Sequence, residues 1–165
     1  MKFLLNFTLL SAVILFSCNS KHAALPWKYS TNGKIYANPI IIGETIYIGS
    51  MDSMFYALDK ESGELIWSVR TNAPIQSTAC ANENVVYFKS WNSTYSIDKI
   101  YGEIIWSYID TSMQQTGKKD PWDFHSGSPV IYKYIVYFGL HNARLLGFNN
   151  QNGNNQKEIE YVDKV

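Results

Sequence analysis

Residues 56–67 read Tyr-Ala-Leu-Asp-Lys-Glu-Ser-Gly-Glu-Leu-Ile-Trp, and residues 95–106 read Tyr-Ser-Ile-Asp-Lys-Ile-Tyr-Gly-Glu-Ile-Ile-Trp. Three residue types keep one spacing of 39 residues between these copies: Asp59 and Asp98, Gly63 and Gly102, Trp67 and Trp106. A third copy, more altered in sequence, places Gly153 four residues after Asn149. A period near 40 residues with short aromatic strands is typical of the blades of a β-propeller.

Each residue of the repeat has a structural role that its chemistry explains. The strand that contains Ala57 ends at Asp59, whose carboxylate can accept hydrogen bonds from the following backbone N–H groups in an Asx turn. Gly63 supplies the positive φ of a tight reversal. Trp67 has a large apolar surface, which suits the space between two neighbouring sheets. Accidental hairpins are the alternative, but hairpins alone do not keep a fixed spacing.

The composition supports an all-β protein and gives no support for nucleic-acid binding. The 165 residues include 12 Tyr, 8 Phe and 5 Trp, and aromatic residues favour pleated, half-buried strands. The 14 basic residues balance the 14 acidic ones and form no basic cluster, so nucleic acid has no electrostatic attraction to the chain.

The repeats predict about three blades of four antiparallel strands, within a propeller domain over residues 26–165. This number of blades makes an incomplete ring or an open arc, because closed propellers have about four to eight blades. The third blade has Lys157 where the earlier ones have a tryptophan. The blades cover about residues 37–69, 75–108 and 126–162. Their predicted strands are 37–42, 45–50, 54–58 and 64–69; 75–81, 85–90, 94–97 and 103–108; and 128–132, 135–139, 145–148 and 157–162.

The first 25 residues are predicted to be an export signal and a tether. Lys2 precedes an apolar run from Phe3 to Phe16 that is too short to cross a bilayer as a helix, so residues 1–17 are a predicted signal peptide. Residues 15–18, Leu-Phe-Ser-Cys, resemble the lipobox of bacterial lipoproteins. The resemblance implies lipidation at Cys18 and a lipidated tether over residues 18–25. The alternative is an ordinary signal peptide with an unrelated cysteine.

Lipidation of Cys18 would leave Cys80 as the only other cysteine, so no disulfide could form within the chain. Cys80 lies in a run of small residues and is predicted to be a packed thiol that acts as a small hydrophobic group.

Two loops contain candidate ligand-binding residues. Trp91 lies at a predicted turn, where an exposed ring could stack on a ligand; the alternative is a tryptophan folded over the blade edge. Before the third blade the period lengthens from 40 to 50 residues, measured from Tyr87 to Tyr137. Loop insertions on repeat scaffolds often carry function. This one contains three candidate cation ligands and an aromatic residue, which could alternatively form only a packed turn: Asp120, Asp123, His125 and Trp122.

The repeat resembles the Ala-x-Asp-x-x-x-Gly-x-x-x-Trp motif of pyrroloquinoline-quinone-type β-propeller proteins. The resemblance covers about residues 27–155 and is specific for the fold, not for the quinone. The family includes quinoprotein dehydrogenases and also non-catalytic lipoproteins of outer-membrane protein assembly. The dehydrogenases use a Ca²⁺ beside the quinone, an aspartate base and, in some, a disulfide of adjacent cysteines. No adjacent cysteines occur here, and no catalytic, cofactor or metal residue is predicted.

The favoured functional hypothesis is a lipid-anchored, non-catalytic scaffold of the bacterial envelope, placed at the outer membrane. It would hold an envelope protein or peptide by strand addition at an exposed blade edge. Copies of the chain could also associate to complete a ring. The alternatives are a fragment of a quinone-dependent dehydrogenase and a carbohydrate-binding protein that uses Trp91 and Trp122.

Overall fold

The computed structural model describes residues 26–111, 127–140 and 144–160, the last six of these by their backbone. Within these ranges the chain forms three four-stranded antiparallel sheets, each in sequential order. The chain is therefore an all-β protein built from three propeller blades, as predicted. Blade 1 contains β1 (Ile40–Ile42), β2 (Thr45–Gly49), β3 (Met54–Asp59) and β4 (Leu65–Arg70). Blade 2 contains β5 (Cys80–Ala81), β6 (Val85–Ser90), β7 (Ser93–Asp98) and β8 (Ile104–Ile109). Blade 3 contains β9 (Val130–Tyr132), β10 (Ile135–Gly139), β11 (Arg144–Asn149) and β12 (Asn155–Glu160).

The inner strands are shorter than predicted, most of all in blade 2. The expected strand over residues 75–81 reduces to Cys80–Ala81. Side chains explain the difference: the Ser77 hydroxyl accepts from the Lys89 N–H at 2.9 Å and donates to the Lys89 carbonyl at 2.8 Å. Ser77 thus bonds the neighbouring strand through its side chain, and Ile75 is fully buried instead of continuing the strand.

The first strands of the three blades lie next to one another, which makes the fourth strands the outer edges. The Asn38 N–H donates to the Thr78 hydroxyl at 3.3 Å, and the Thr78 N–H donates to the Ser128 hydroxyl at 3.1 Å. These bonds link equivalent positions just before β1, β5 and β9. We call the opposite side of the sheets, where β4 and β8 lie, the rim.

The turn between the third and fourth strands is the same in all three blades. The side-chain Oδ1 of the aspartate or asparagine accepts two backbone N–H bonds in each copy, at 2.7–3.3 Å, from residues 61 and 62, 100 and 101, or 151 and 152. Four residues after it, Gly63, Gly102 and Gly153 have φ of 73°, 72° and 72°. Both predicted roles, the Asx turn and the positive φ, are confirmed.

A tryptophan packs onto each of these glycines: Trp27, which precedes blade 1, on the first, and a tryptophan of the preceding blade on the other two. A Cβ added to Gly63 would lie 2.4 Å from the Trp27 ring, one on Gly102 would lie 2.7 Å from Trp67, and one on Gly153 would lie 2.6 Å from Trp106. The predicted packing of Trp67 and Trp106 between sheets is therefore confirmed. The glycine serves twice, because it adopts the left-handed conformation and leaves room for the ring.

The backbone carbonyl of the residue just after the aspartate or asparagine accepts hydrogen bonds from an earlier part of the chain. Lys60 O accepts from Trp27 Nε1 at 2.9 Å, and Lys99 O accepts from Trp67 Nε1 and from the Tyr47 hydroxyl, both at 3.2 Å. At the next interface the Tyr87 hydroxyl of blade 2 donates to Asn150 O of blade 3 at 2.7 Å. Trp106 Nε1 is buried without an acceptor among the described residues.

The interface between blades 1 and 2 is apolar and closely packed. Phe55 stacks on Phe88 with ring centroids 3.9 Å apart, and Phe88 stacks on Tyr95 at 5.3 Å. Ile75 fills the space above Gly49, where an added Cβ would lie 2.2 Å from its side chain. Burial of these side chains is the main favourable term that holds the two blades together.

The interface between blades 2 and 3 contains a buried charge at the corresponding place. Lys89 occupies the position of Gly49, is 1% exposed, and donates through Nζ to the Gly139 carbonyl at 2.7 Å. Burial lowers the pKa of Lys89 to about 8, and the Asp110 carboxylate opposes this shift. Asp110 is itself buried and pairs with Arg144 at 3.3 Å. The apolar contacts of this interface come from Tyr87, Val136, Phe138, Leu146 and Phe148.

We predict that Gly102→Ala destabilises the fold more than Gly43→Ala. Both glycines have positive φ, but a Cβ on Gly43 meets nothing within 4 Å, so that variant isolates the backbone cost of about 1 kcal/mol. Gly102→Ala adds the clash with Trp67, which raises the loss in unfolding free energy by a further ~1–3 kcal/mol. Urea denaturation measures both losses, and equal losses would contradict the packing role of Trp67.

We also predict a pH-dependent difference between the wild type and Lys89→Met. The folded pKa of Lys89, about 8, lies below the 10.5 of an unperturbed lysine, so the cost of burying its charge is complete at neutral pH and falls as the pH rises. Between about pH 8 and 9.5 the wild type should gain ~1–2 kcal/mol relative to the variant. Burial also raises the pKa of Cys80 and of Tyr87, each to about 12, but these contributions are common to both proteins and cancel. Urea midpoints measure the difference; a pH-independent one would show that Lys89 does not titrate in this range.

Candidate functional site

Of the residues considered as ligand contacts, only Trp91 lies within the described structure. Trp91 lies in the β6–β7 turn as expected, and its side chain is only 6% exposed, which agrees with the alternative of a tryptophan folded over the blade edge and not with an exposed stacking ring. The tight turn explains this, because Trp91 has a φ of 51° and the residues from Asn92 to Ile97 that follow it are all buried. Asp120, Trp122, Asp123 and His125 lie outside the described residues, as does Cys18.

No cluster of metal-binding side chains occurs in the part of the chain that the structure describes. No three His, Cys, Asp or Glu side chains converge there. Cys80 packs beside the cluster between blades 2 and 3, and burial raises the pKa of its thiol to about 12. It is therefore a packed, protonated thiol at neutral pH, in agreement with the sequence-based prediction. No helix in the same ranges is long and apolar enough to span a membrane.

The most unusual surface is an apolar patch at the outer edge of blade 2. We call it the rim patch, and each of its side chains is about half exposed or more: Ile100, Tyr101, Ile104, Ile105 and Ile109. Ile100 and Tyr101 are 66% and 73% exposed in the turn before β8, and Ile109 is 53% exposed at its end. Trp106 and Tyr108, which alternate with the exposed positions, pack instead against blade 3. One side of β8 is therefore committed to the fold and the other is free.

Blade 1 also exposes apolar residues at the positions of Ile104 and Ile105, namely Leu65 and Ile66, but the other blades show that the fold does not require apolar residues at positions 100, 101 and 109. Blade 1 has Glu61 and Ser62 where blade 2 has Ile100 and Tyr101, and Arg70 where blade 2 has Ile109. Blade 3 has polar residues at all three: Gln151, Asn152 and Glu160. The same turn and strand form with polar side chains there, so Ile100, Tyr101 and Ile109 of blade 2 need another explanation. An exposed apolar patch on a soluble domain often marks an interaction surface.

The backbone of β8 adds a second property to this surface. Among the described residues β8 is an edge strand that pairs only with β7, so its outer N–H and C=O groups point away from the sheet. A register shift opposite Ser96 and Ile97 leaves Ile105 as an extra residue, a β-bulge that limits regular pairing to residues 106–109. The edge can therefore hold a short extended segment, and the rim patch supplies apolar contacts beside it.

Sequence reasoning missed the rim patch, although the repeat alignment contains the signal. The three copies can be superposed on their Asp or Asn and Gly residues, and positions 100, 101 and 109 then show apolar residues only in the second copy. A comparison of surface positions between copies would have found it. A search for repeats identifies positions that are the same in every copy, whereas the rim patch consists of positions that differ between copies.

Comparison with known proteins agrees with the architecture. The profile of the family described as outer membrane protein assembly factor BamB matches residues 19–163. The chain belongs to this family. It is thus a pyrroloquinoline-quinone-type propeller repeat protein, as the motif predicted. No curated protein matches the chain in sequence.

Solved structures show the same fold at low sequence identity. BamB from Moraxella catarrhalis superposes with a TM-score of 0.66 at 17% identity, over 80% of this chain and 38% of that one. A quinohemoprotein alcohol dehydrogenase from Comamonas testosteroni gives 0.62 at 16%, over 77% of this chain and 21% of the enzyme. The computationally designed Ika4 protein gives 0.64 at 12%, over 81% and 76%. This chain thus spans well under half the length of the two natural proteins.

Proposed function

We propose that this BamB-family chain is a non-catalytic scaffold of the bacterial envelope whose rim patch holds an extended segment of a partner protein. The observation that carries the proposal is the replacement of Glu61, Ser62 and Arg70 of blade 1 by exposed apolar residues in blade 2. The description of the family as an outer membrane protein assembly factor supports a partner among the proteins of outer-membrane assembly.

The patch and the edge strand supply complementary contributions to binding. Burial of the exposed halves of Ile105 and Ile109 would contribute roughly 1 kcal/mol each to the free energy of binding. This apolar contribution does not distinguish one partner from another. Hydrogen bonds along residues 106–109 would require an extended partner, and the alternate side chains of that partner would meet the isoleucines. A small interface of this kind suits a transient complex with a client rather than a permanent assembly.

Lipidation at Cys18 would hold this surface close to the membrane. A fully extended tether over residues 18–25 spans at most ~28 Å. The propeller would then work within one domain diameter of the bilayer, where outer-membrane proteins are inserted. Envelope location and the lipid anchor are parts of this proposal, and the lipobox-like residues 15–18 support them.

Site-specific photo-crosslinking in cells tests the scaffold. A photoreactive residue at position 109 should give a discrete adduct with an outer-membrane assembly protein, whereas one at the equivalent position 70 of blade 1 should not. Ile105→Lys should remove the adduct, because it places a charge in the rim patch, and Ile66→Lys, at the equivalent position of blade 1, should retain it. Both side chains are exposed, so neither change should affect folding. Cys18→Ser should also weaken the adduct by releasing the chain from the membrane.

Two outcomes would overturn the scaffold proposal. Adducts of equal strength at positions 70 and 109 would show that the rim is not selective. An adduct that survives Ile105→Lys at unchanged protein level would show that the patch does not carry the contact.

A quinone-dependent oxidoreductase is the second candidate, favoured by the likeness to quinohemoprotein alcohol dehydrogenases and to a europium-containing methanol dehydrogenase. A Ca²⁺ beside a quinone needs converging carboxylate ligands, and the described residues bring together no such group. We therefore derive no catalytic step and expect no heat of binding when the full chain is titrated with pyrroloquinoline quinone and Ca²⁺. Saturable binding at micromolar concentration would overturn the scaffold in favour of this candidate.

A further inference from the structure

A groove lies between blades 2 and 3, at the end of the sheets opposite to Trp91. Its volume is about 480 Å³, within the range of small-ligand sites. Three turns form its walls: the β5–β6 turn, the β9–β10 turn and the β11–β12 turn. The lining residues are Asn82, Glu83, Asn84, Val85, Lys133, Tyr134, Asn150 and Gln151.

A hydrogen-bond network fixes the three turns relative to one another. The Tyr87 hydroxyl donates to Asn150 O at 2.7 Å and accepts from Asn82 Nδ2 at 3.2 Å. The Asn150 N–H donates to Tyr134 O at 2.9 Å, and its Nδ2 donates to Lys133 O at 3.3 Å. The bond from Tyr87 to Asn150 crosses from blade 2 to blade 3, and the other three fix the turns within each blade. The groove is therefore formed before any ligand arrives, which lowers the entropic cost of binding.

Besides the charged groups of Glu83 and Lys133, the groove presents two amides and one aromatic ring. The side chains of Asn84 and Gln151 are exposed and make no hydrogen bond with the described residues, and each amide offers both donors and an acceptor. Tyr134 is 71% exposed, so its ring can cover an apolar face of a ligand.

The lining is electrically balanced. Among the lining residues, Glu83 has the one carboxylate and Lys133 has the one ammonium group. Blades 1 and 2 have Lys60 and Lys99 where blade 3 has Asn150, so the third copy has lost a positive charge at this position. The Lys99 ammonium group of blade 2 donates to the Glu83 carbonyl, so charges of both signs lie near the groove and neither dominates its amide-rich lining. Such a lining favours a neutral, hydrogen-bonding ligand.

The turn that presents Tyr134 is strained. Lys133 has a φ of 55° at the position where blade 1 uses Gly43, with a φ of 60°. An L-residue in this conformation costs about 1–2 kcal/mol relative to glycine. Residues held in such conformations occur often at ligand-contacting positions.

We infer that this groove binds a neutral saccharide. The C–H face of a sugar ring would stack on Tyr134, and its neighbouring hydroxyl groups would exchange hydrogen bonds with the amides of Asn84 and Gln151. This inference is independent of the rim patch, which lies on the outer edge of blade 2.

Calorimetric titration of the full chain with maltose, cellobiose and chitobiose tests the site. At least one disaccharide should bind saturably at millimolar concentration, and Tyr134→Ala should weaken that binding by about ten-fold. Tyr101→Ala is the matched control, because Tyr101 is equally exposed on a neighbouring turn but does not line the groove. The double variant Asn84→Ala and Gln151→Ala should weaken binding without moving the unfolding midpoint.

Three results would overturn the inference. The first is the absence of saturable binding for all three disaccharides. The second is an equal loss in Tyr134→Ala and Tyr101→Ala. The third is tighter binding of glucuronic acid than of glucose, which would identify an anion site at Lys133. Ile105→Lys should leave sugar binding unchanged, which keeps this test separate from that of the scaffold.

Discussion

The contact of a tryptophan with the glycine of the next blade is the constraint on which the rest of the structure depends. The ring of Trp67 occupies the space that a Cβ on Gly102 would need, and its Nε1 bonds the Lys99 carbonyl of the same turn. One side chain thus fixes both the distance and the register between two sheets. The Asx turn at Asp98 holds that carbonyl in place, so the local hairpin and the packing of blades reinforce each other.

This joint explains where the chain is free to vary. The tryptophan and the glycine lie at one end of each sheet, and the apolar clusters occupy the space between sheets. The outward side of a fourth strand and the tips of the turns carry no such contacts. Blade 1 uses that freedom for Glu61 and Arg70 and blade 2 for the rim patch, while both keep the same backbone. Surface chemistry can therefore differ between blades at little cost to folding.

The sequence predicted what depends on short-range chemistry and missed what depends on neighbours. The turns at Asp59, Asp98 and Asn149 follow from residues within a few positions, and their glycines from the φ they require. The position at which β5 begins depends on a bond between Ser77 and Lys89 in the next strand, and no propensity reveals it. The burial of Trp91 and the exposure of the rim patch are likewise properties of the assembled blades, although the apolar residues at positions 100, 101 and 109 are visible when the copies are compared. Spacing identified the fold, whereas exposure, which decides binding, required the structure.

The two blade interfaces differ in whether they bury charged side chains. Between blades 1 and 2, Gly49 leaves room for Ile75, and Phe55 stacks on Phe88. Between blades 2 and 3, Lys89 and the pair of Asp110 with Arg144 occupy the end of the interface where β8 and β10 finish. Buried charges stabilise a fold less than apolar packing does, but they tolerate few alternative arrangements. The repeat therefore keeps its tryptophan joint constant and changes the chemistry around it, which lets one scaffold carry an apolar rim on blade 2 and a polar groove beside blade 3.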